Sequence, residues 1–494
     1  MSRNTKSQQA VRQHSMGLNA LLSSIRTLST IIFPLITYPY ITGTLSVSNM
    51  GRVNFSQSII SYFTLIAQFG ILQFAVRSGA RIRDDQVVFE QFANRVFTIN
   101  IISTIISLIL LFLLFLLMLL PTPLVAYRTF IAILSIGVFL TPFSVDWIYI
   151  VYEDFGYITL RSILISLLSM ILMFIFVKKN SDVYLYVALI TVSGSFGSLF
   201  NFFHSRKYVH LGLTKDTHWK EYKTPLFMFF INSVTTTIYL NSDTTLLGLM
   251  STNHQVGLYS VATKIYNIAK QLINAVVATT IPRLAYMQKQ DKKKFQELLQ
   301  NIMNMTEFFV VPLMTGLIMV RKNIVLILSN SRYFEATESL AILSFALIFA
   351  VFANIIANGL LVVINKEKYV VTGTVASAVT NLLLNFIFIP LWGQNGAAAT
   401  TLIAEMVMFG VSILAAKDYL KYLFDIPKLL RAIIGSVAMY TITTLLSRYF
   451  FSNNMLDLIE TVVVGAMIYF ISMILMRDET LTQILVVIKN KVDH

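Results

Sequence analysis

The chain has 494 residues, 56% of them hydrophobic and 13% charged, and its mean hydropathy is +0.71. A soluble globule cannot bury that much apolar surface, so composition excludes a soluble enzyme or binding domain and specifies an all-α polytopic membrane protein. The absence of cysteine excludes disulfides and thiolate chemistry, and the net charge of +14 is tested first against the basic bias of cytoplasmic loops rather than against nucleic acid, for which no role is expected.

The first 17 residues are polar and basic (Arg3, Lys6, Arg12). The long apolar run behind them has no small-residue cleavage site, so a retained first helix is expected. About fourteen spans of roughly twenty residues follow, the length that crosses ~30 Å of hydrocarbon. Span 18–41 has a polar face of Asn19, Ser23, Arg26, Thr30 and Thr37, with Pro34 as a kink point and Arg26 near mid-membrane. Span 54–76 carries Asn54, Gln57, Ser61, Thr64 and Gln68 at alternating three-four spacing, which puts them on one helical face. Arg52 precedes it, close enough to the outer end to snorkel to the interface. Spans 94–119, 128–151, 157–177 and 183–203 complete a first lobe. Residues 101–120 and 163–177 are almost wholly apolar and suit lipid-facing walls.

The longest polar connection, His204 to Tyr222, separates six helices from the next six. Two polar-striped spans follow, 224–249 and 257–282, joined at Ser251 to Val256. The first stripe is Asn232, Thr236, Tyr239 and Asp243; the second is Ser260, Lys264, Asn267, Gln271 and Asn274. A polar stripe facing lipid is costly, so both stripes should face protein or a water-filled cavity. Counted from the turn, Asp243 and Lys264 lie at equal depth. Lys264 therefore reads equally as half of an ion pair with Asp243 or as an anion ligand, and Lys270 is a further candidate contact. Spans 300–320, 338–362, 370–390 and 396–416 complete a second lobe, and 431–449 and 457–476 follow. The tail after Arg477 (Leu481, Ile484, Leu485, Ile488) suits the inner membrane surface. The expected organisation is 1–210, a linker at 211–223, 224–418, and 419–494.

An echo links the lobes: Met50-Gly51-Arg52-Val53-Asn54 before the second span and Val256-Gly257-Leu258-Tyr259-Ser260 before the eighth. Repeated halves with a site between them recur in transporters. Loop cations (Arg77, Arg81, Arg83, Arg206, Lys207, Lys215, Lys220, Lys223, Lys289, Lys292 to Lys294, Lys366, Lys368, Lys417, Lys421, Lys428) outnumber those on the opposite side. Both termini are therefore expected in the cytoplasm, with the basic loops against anionic lipid. No acidic partner for Arg26 is visible on its own or the adjacent helix. The expectation is a V-shaped pair of six-helix lobes around a central cationic cavity. Arg26 and Arg52 would line one side, Lys264 and Lys270 the other, as donors suited to phosphate or pyrophosphate. No phosphate-loop motif, no His-Glu-x-x-His and no Cys/His metal cluster is present, so transport is expected and an enzyme is not.

Several segments resemble the Wzx-type polysaccharide flippases of the multidrug/oligosaccharidyl-lipid/polysaccharide exporter superfamily. The most specific is Asp146-Trp147 followed by Glu153 and Arg161; the Gln-Gly part of that pattern is replaced by Ile150-Val151-Tyr152. Further matches are Tyr38-Pro39-Tyr40, Ser61-Tyr62-Phe63, Asp243 to Gly248, Gly257-Leu258-Tyr259-Ser260, Ile281-Pro282-Arg283-Leu284, and Gly396-Ala397-Ala398 leading to Glu405. Together they run through about twelve helices. The resemblance implies alternating access and an undecaprenyl-pyrophosphate-linked oligosaccharide carried from the inner to the outer leaflet of a bacterial cytoplasmic membrane. It also implies a glycan polymerase and other assembly proteins as partners. No cofactor is expected beyond a coupling ion, H⁺ or Na⁺, with Asp243, Glu307 and Glu405 as the acids to test. Asp146, Trp147, Glu153 and Arg161 read as a gating or structural cluster. The rivals are a multidrug exporter of the same superfamily, which favours an acidic cavity, a peptidoglycan-precursor flippase, and a scaffold partner of the polymerase, which needs no polar cavity.

Overall fold

A computed structural model describes residues 16–449 and 453–482. The first 15 residues and Ile484, Leu485 and Ile488 of the amphipathic tail lie outside the described residues. The fold is all-α, and the chain divides between Thr245 and Leu246 into two compact units.

The first unit holds α1 (Met16–Thr44), α2 (Val47–Gln68), α3 (Ile71–Gly79), α4 (Gln86–Leu117), α5 (Arg128–Phe139), α6 (Asp146–Val151), α7 (Phe155–Phe176) and α8 (Val183–His204). It also holds the greater part of α9 (Trp219–Met250). The expected linker is strapped to α4: Gly212 N–H donates to Asn94 Oδ1 at 2.7 Å, Thr214 N–H to Thr98 Oγ1 at 3.0 Å, and Arg95 pairs with Asp216 at 2.9 Å. The second unit holds α10 (Asn253–Ala278), α11 (Ile281–Gln290), α12 (Lys292–Leu328), α13 (Ala336–Asn354), α14 (Glu367–Ala415), α15 (Leu420–Leu423), α16 (Ile426–Leu446) and α17 (Asn454–Leu475).

Eleven helices among the described residues are long and apolar enough to cross a membrane. Two long ones fall outside that set, α9 and α10, and both carry polar stripes. The 49 residues of α14 cover the two spans expected at 370–390 and 396–416. They are broken at Gly393, whose φ of 54° lies in the left-handed region that suits glycine. The echoing motifs, placed before their spans by the sequence, lie inside helices: Gly51 and Gly257 are each the fifth residue of their own, α2 and α10.

Asp85, Asp154, Asp291 and Asp425 accept hydrogen bonds from first-turn amides of α4, α7, α12 and α16. Those donors have no partner inside the helix, so the four acids are used as helix caps. Between helices, Phe89, Phe92, Trp147 and Tyr149 anchor the core of the first unit. Ile102, Ile105, Ile109 and Phe112 of α4 and Leu160, Leu164, Leu168, Ile171 and Ile175 of α7 are exposed at three- and four-residue spacing. Such faces are stable only against hydrocarbon, so α4 and α7 are lipid-facing, as their composition predicts.

Between α2 and α3 the chain turns at Phe69 (φ 44°) and Gly70 (φ 71°). A Cβ on Gly70 would sit 2.7 Å from the backbone N of Phe230 on α9. Gly70→Ala therefore meets both left-handed strain and a backbone overlap, and should destabilise the fold by about 1–3 kcal/mol. The thermal midpoint of the purified protein in mild detergent measures this; an unchanged midpoint would refute the close packing of α9 at this turn.

Candidate functional site

The polar stripe of α2 meets that of α9 at a cavity of about 610 Å³ within the first unit. Gln57, Ser61, Thr64 and Gln68 line it from α2, and Asn232, Ser233, Thr236, Thr237 and Asn241 from α9. The stripe on α2 is positioned from outside the cavity. Ser46 caps the helix by accepting from Asn49 N–H at 3.2 Å, and Asn180 Oδ1 receives the Ser46 N–H at 2.8 Å. Beyond the cavity, Thr245 Oγ1 bonds to Ser58 Oγ at 2.9 Å and to the Tyr62 hydroxyl at 3.2 Å, tying α9 to α2.

Sequence reasoning missed the opposite wall. Thr191, Gly194, Ser195 and Ser198 of α8 line the cavity at spacings of three, one and three, a helical face of small polar residues. Gly137 on α5, with Thr141 and Ser144 beyond it, closes the remaining side. No lining residue is charged. The walls offer hydroxyls and amides, which both donate and accept hydrogen bonds.

None of the cations expected to line a cavity is among the residues that line this one. Arg26 has an acidic partner that the sequence did not reveal: its guanidinium donates to Asp146 Oδ2 at 2.8 Å. Asp146 sits on α6, 120 positions along the chain, so neither helix adjacency nor local spacing could identify it. Its other oxygen takes Arg161 at 3.5 Å and the amide of Asn201. Arg161 also donates to the Gly197 carbonyl at 2.9 Å on α8. Glu153 forms a second tie, to Arg83 at 2.8 Å and to Asn19 at 3.4 Å. Trp147 is buried against Phe89 and Phe92. The motif that carried the family resemblance is therefore a hub binding α1, α6, α7 and α8 together. Arg52 is half-buried on α2, with no hydrogen-bond partner for its Nε among the described residues. Tyr239 is half-buried and Asp243 is buried, both on α9 in the first unit.

In the second unit Lys270 donates to Glu405 at 2.6 Å, and the Tyr266 hydroxyl donates to the same carboxylate at 3.0 Å. Lys270, expected as an anion contact, and Glu405, expected as a coupling acid, thus form one pair between α10 and α14. Lys264 is half-buried, and Asn267 and Gln271 are exposed on α10. Asn274 accepts from Asn354 at 2.8 Å, where α13 passes into a π-helical turn, Ile355–Leu361. Glu307 is buried on α12.

These features define a multi-pass α-helical membrane protein with an uncharged polar cavity inside an apolar bundle. Residues 17–288 match the family described as "Polysaccharide biosynthesis protein", and the chain belongs to that family. It is 23% identical over 433 residues to the Escherichia coli (strain K12) protein named "Putative O-antigen transporter", covering 82% of this chain and 97% of that one. Among solved structures, it superposes on lipid II flippase MurJ in an inward closed conformation with a TM-score of 0.73, at 19% identity over 93% of this chain and 99% of that one. An inward-facing multidrug-resistance transporter of the MATE family, in the MOP superfamily, gives a TM-score of 0.61 at 15% identity, over 82% of this chain and 98% of that one. At these identities the likeness to both structures is one of fold.

Proposed function

We propose that the protein is a flippase for lipid-linked oligosaccharide repeat units in surface polysaccharide biosynthesis. In this reading it moves an undecaprenyl-pyrophosphate-linked glycan from the cytoplasmic to the outer leaflet of a bacterial membrane by alternating access, with both termini in the cytoplasm. The observation that carries the reading is the 610 Å³ cavity with neutral hydroxyl and amide walls. A glycan is dense in hydroxyls that need partners of both kinds, and an intramembrane cavity of this size and polarity supplies them. The family match and the E. coli relative support the same class of cargo. An organic cation would favour carboxylates in the cavity wall, and none lines it.

The pyrophosphate needs cations. Arg26 is the most readily released of the paired ones, because Asp146 keeps Arg161 and Asn201 when Arg26 leaves. Arg52, Lys264 and Lys270 are further proposed contacts. Glycan polymerase and other assembly proteins are the proposed partners, with anionic lipid along the basic loops.

Transport in proteoliposomes tests the reading. A lipid-pyrophosphate-linked oligosaccharide becomes accessible to an impermeant glycan-cleaving enzyme when the full-length protein is present. Competition by a pentapeptide-bearing precursor, or uptake of a fluorescent organic cation in place of the glycan lipid, would overturn the assignment.

A further inference from the structure

In the second unit α12, α16 and α17 share a core that includes Phe308, Val311, Ala432, Met439, Tyr469 and Met473. Asn304, Glu307, Phe308 and Val311 are spaced i, i+3, i+4 and i+7, so the two polar residues lie on the core-facing stripe of α12. Glu307 is 1% exposed and Asn304 6%. Among the described residues, neither Glu307 carboxyl oxygen nor Asn304 Oδ1 has a hydrogen-bond partner. The Asp425 N–H faces the Glu307 carboxyl without forming a hydrogen bond of normal geometry.

The charges acting on Glu307 come from the start of α16: the Asp425 carboxylate repels a second negative charge and the Lys428 ammonium attracts it. Lys428 is already shared between Asp425 at 3.5 Å and Glu479 at 3.3 Å. Nearby, Arg431 is 3.9 Å from Asp478. Other helices packed against α12 carry Asp457 and Glu460 (α17), Lys421 (α15), Arg283 and Lys289 (α11), His254, Lys264 and Lys270 (α10) and Glu338 (α13). None of these forms an ion pair with Glu307 among the described residues.

A fully buried carboxylate with no hydrogen bond of normal geometry costs several kcal/mol, and a like charge beside it adds to the cost. One bound proton removes both penalties. We propose that Glu307 is a proton-binding site, held as a neutral carboxylic acid whose O–H donates to Asn304 Oδ1. On release the O–H bond breaks, the proton passes to water at the α16 end, and the carboxylate left behind repels Asp425 and loosens the start of α16 from α12. Proton exchange at this junction is then the ion-coupled step of the transport cycle, at a site other than the glycan cavity.

The test needs no substrate, so its outcome is separate from that of the glycan assignment. Infrared difference spectra of the purified full-length protein between acid and alkaline pH should contain the C=O stretch of a protonated carboxylic acid. That band is expected to be lost in Glu307→Gln and kept in Asp425→Asn. Asn304→Ala should shift it to higher frequency, because the hydrogen bond is gone; this variant keeps the test open if Glu307→Gln does not fold. A band unchanged in both Glu307→Gln and Asn304→Ala overturns the proposal. So does a band abolished by Na⁺ at constant pH, which would mean that the site takes the metal ion.

Discussion

Asp146→Ala is expected to be among the most destabilising single substitutions in the first unit. The carboxylate serves Arg26 at 2.8 Å, Arg161 at 3.5 Å and the Asn201 amide. Its removal strands two guanidiniums at membrane depth and frees α1 from α6. Breaking a buried pair costs about 3–5 kcal/mol. The Arg26 side chain is 30% exposed and that of Asp146 19%, so solvent screens part of the loss and about 2–4 kcal/mol is expected. The single variants should rank Asp146→Ala, then Arg161→Ala, then Arg26→Ala. Arg161 is the more buried cation and also holds the Gly197 carbonyl. Arg26 contributes one bond to a carboxylate that keeps two other partners. Thermal midpoints in detergent measure the ranking. Equal losses for all three would mean that the contacts act independently and that Asp146 is no hub. A small stability loss for Arg26→Ala, joined to a large loss of transport, is the signature expected of a cation that exchanges Asp146 for a phosphate group.

How far this was legible from sequence depends on the range of the interaction. The membrane class follows from composition, and the stripes on α2 and α9 follow from three-four periodicity, because both are local properties of the chain. Gln57, Ser61, Gln68 and Asn232 accordingly line the cavity. The wall from α8 was illegible because Thr191, Gly194, Ser195 and Ser198 are small residues that serve equally well in close helix packing. Ion pairs were illegible for a different reason. Arg26 and Asp146 are 120 positions apart, and Lys270 and Glu405 are 135 apart. No spacing rule connects such residues, so an intramembrane cation read alone looks like a free ligand.

The largest expected effect on transport comes from removing hydrogen-bonding capacity from the cavity walls while leaving their shape. Gln57, Gln68 and Asn232 are exposed residues that line the cavity from two helices. Each is close in size to leucine, so the combined change Gln57→Leu, Gln68→Leu, Asn232→Leu keeps volume and removes three amides. A hydrogen bond contributes about 1 kcal/mol net, and ~1.4 kcal/mol is tenfold in affinity. The substrate concentration for half-maximal transport should therefore rise on the order of 100-fold, set by three lost contacts. Stability should not fall, because none of the three amides is buried in the core. Salt separates this effect from that of the cations. Contacts between neutral groups are unscreened, so the fold-loss in the triple variant should be the same at low and high ionic strength, whereas the loss in Arg26→Ala should shrink as salt rises. Normal transport by the triple variant would remove the glycan from this cavity. A loss that vanished at high salt would assign the cavity to a charged group instead of a sugar.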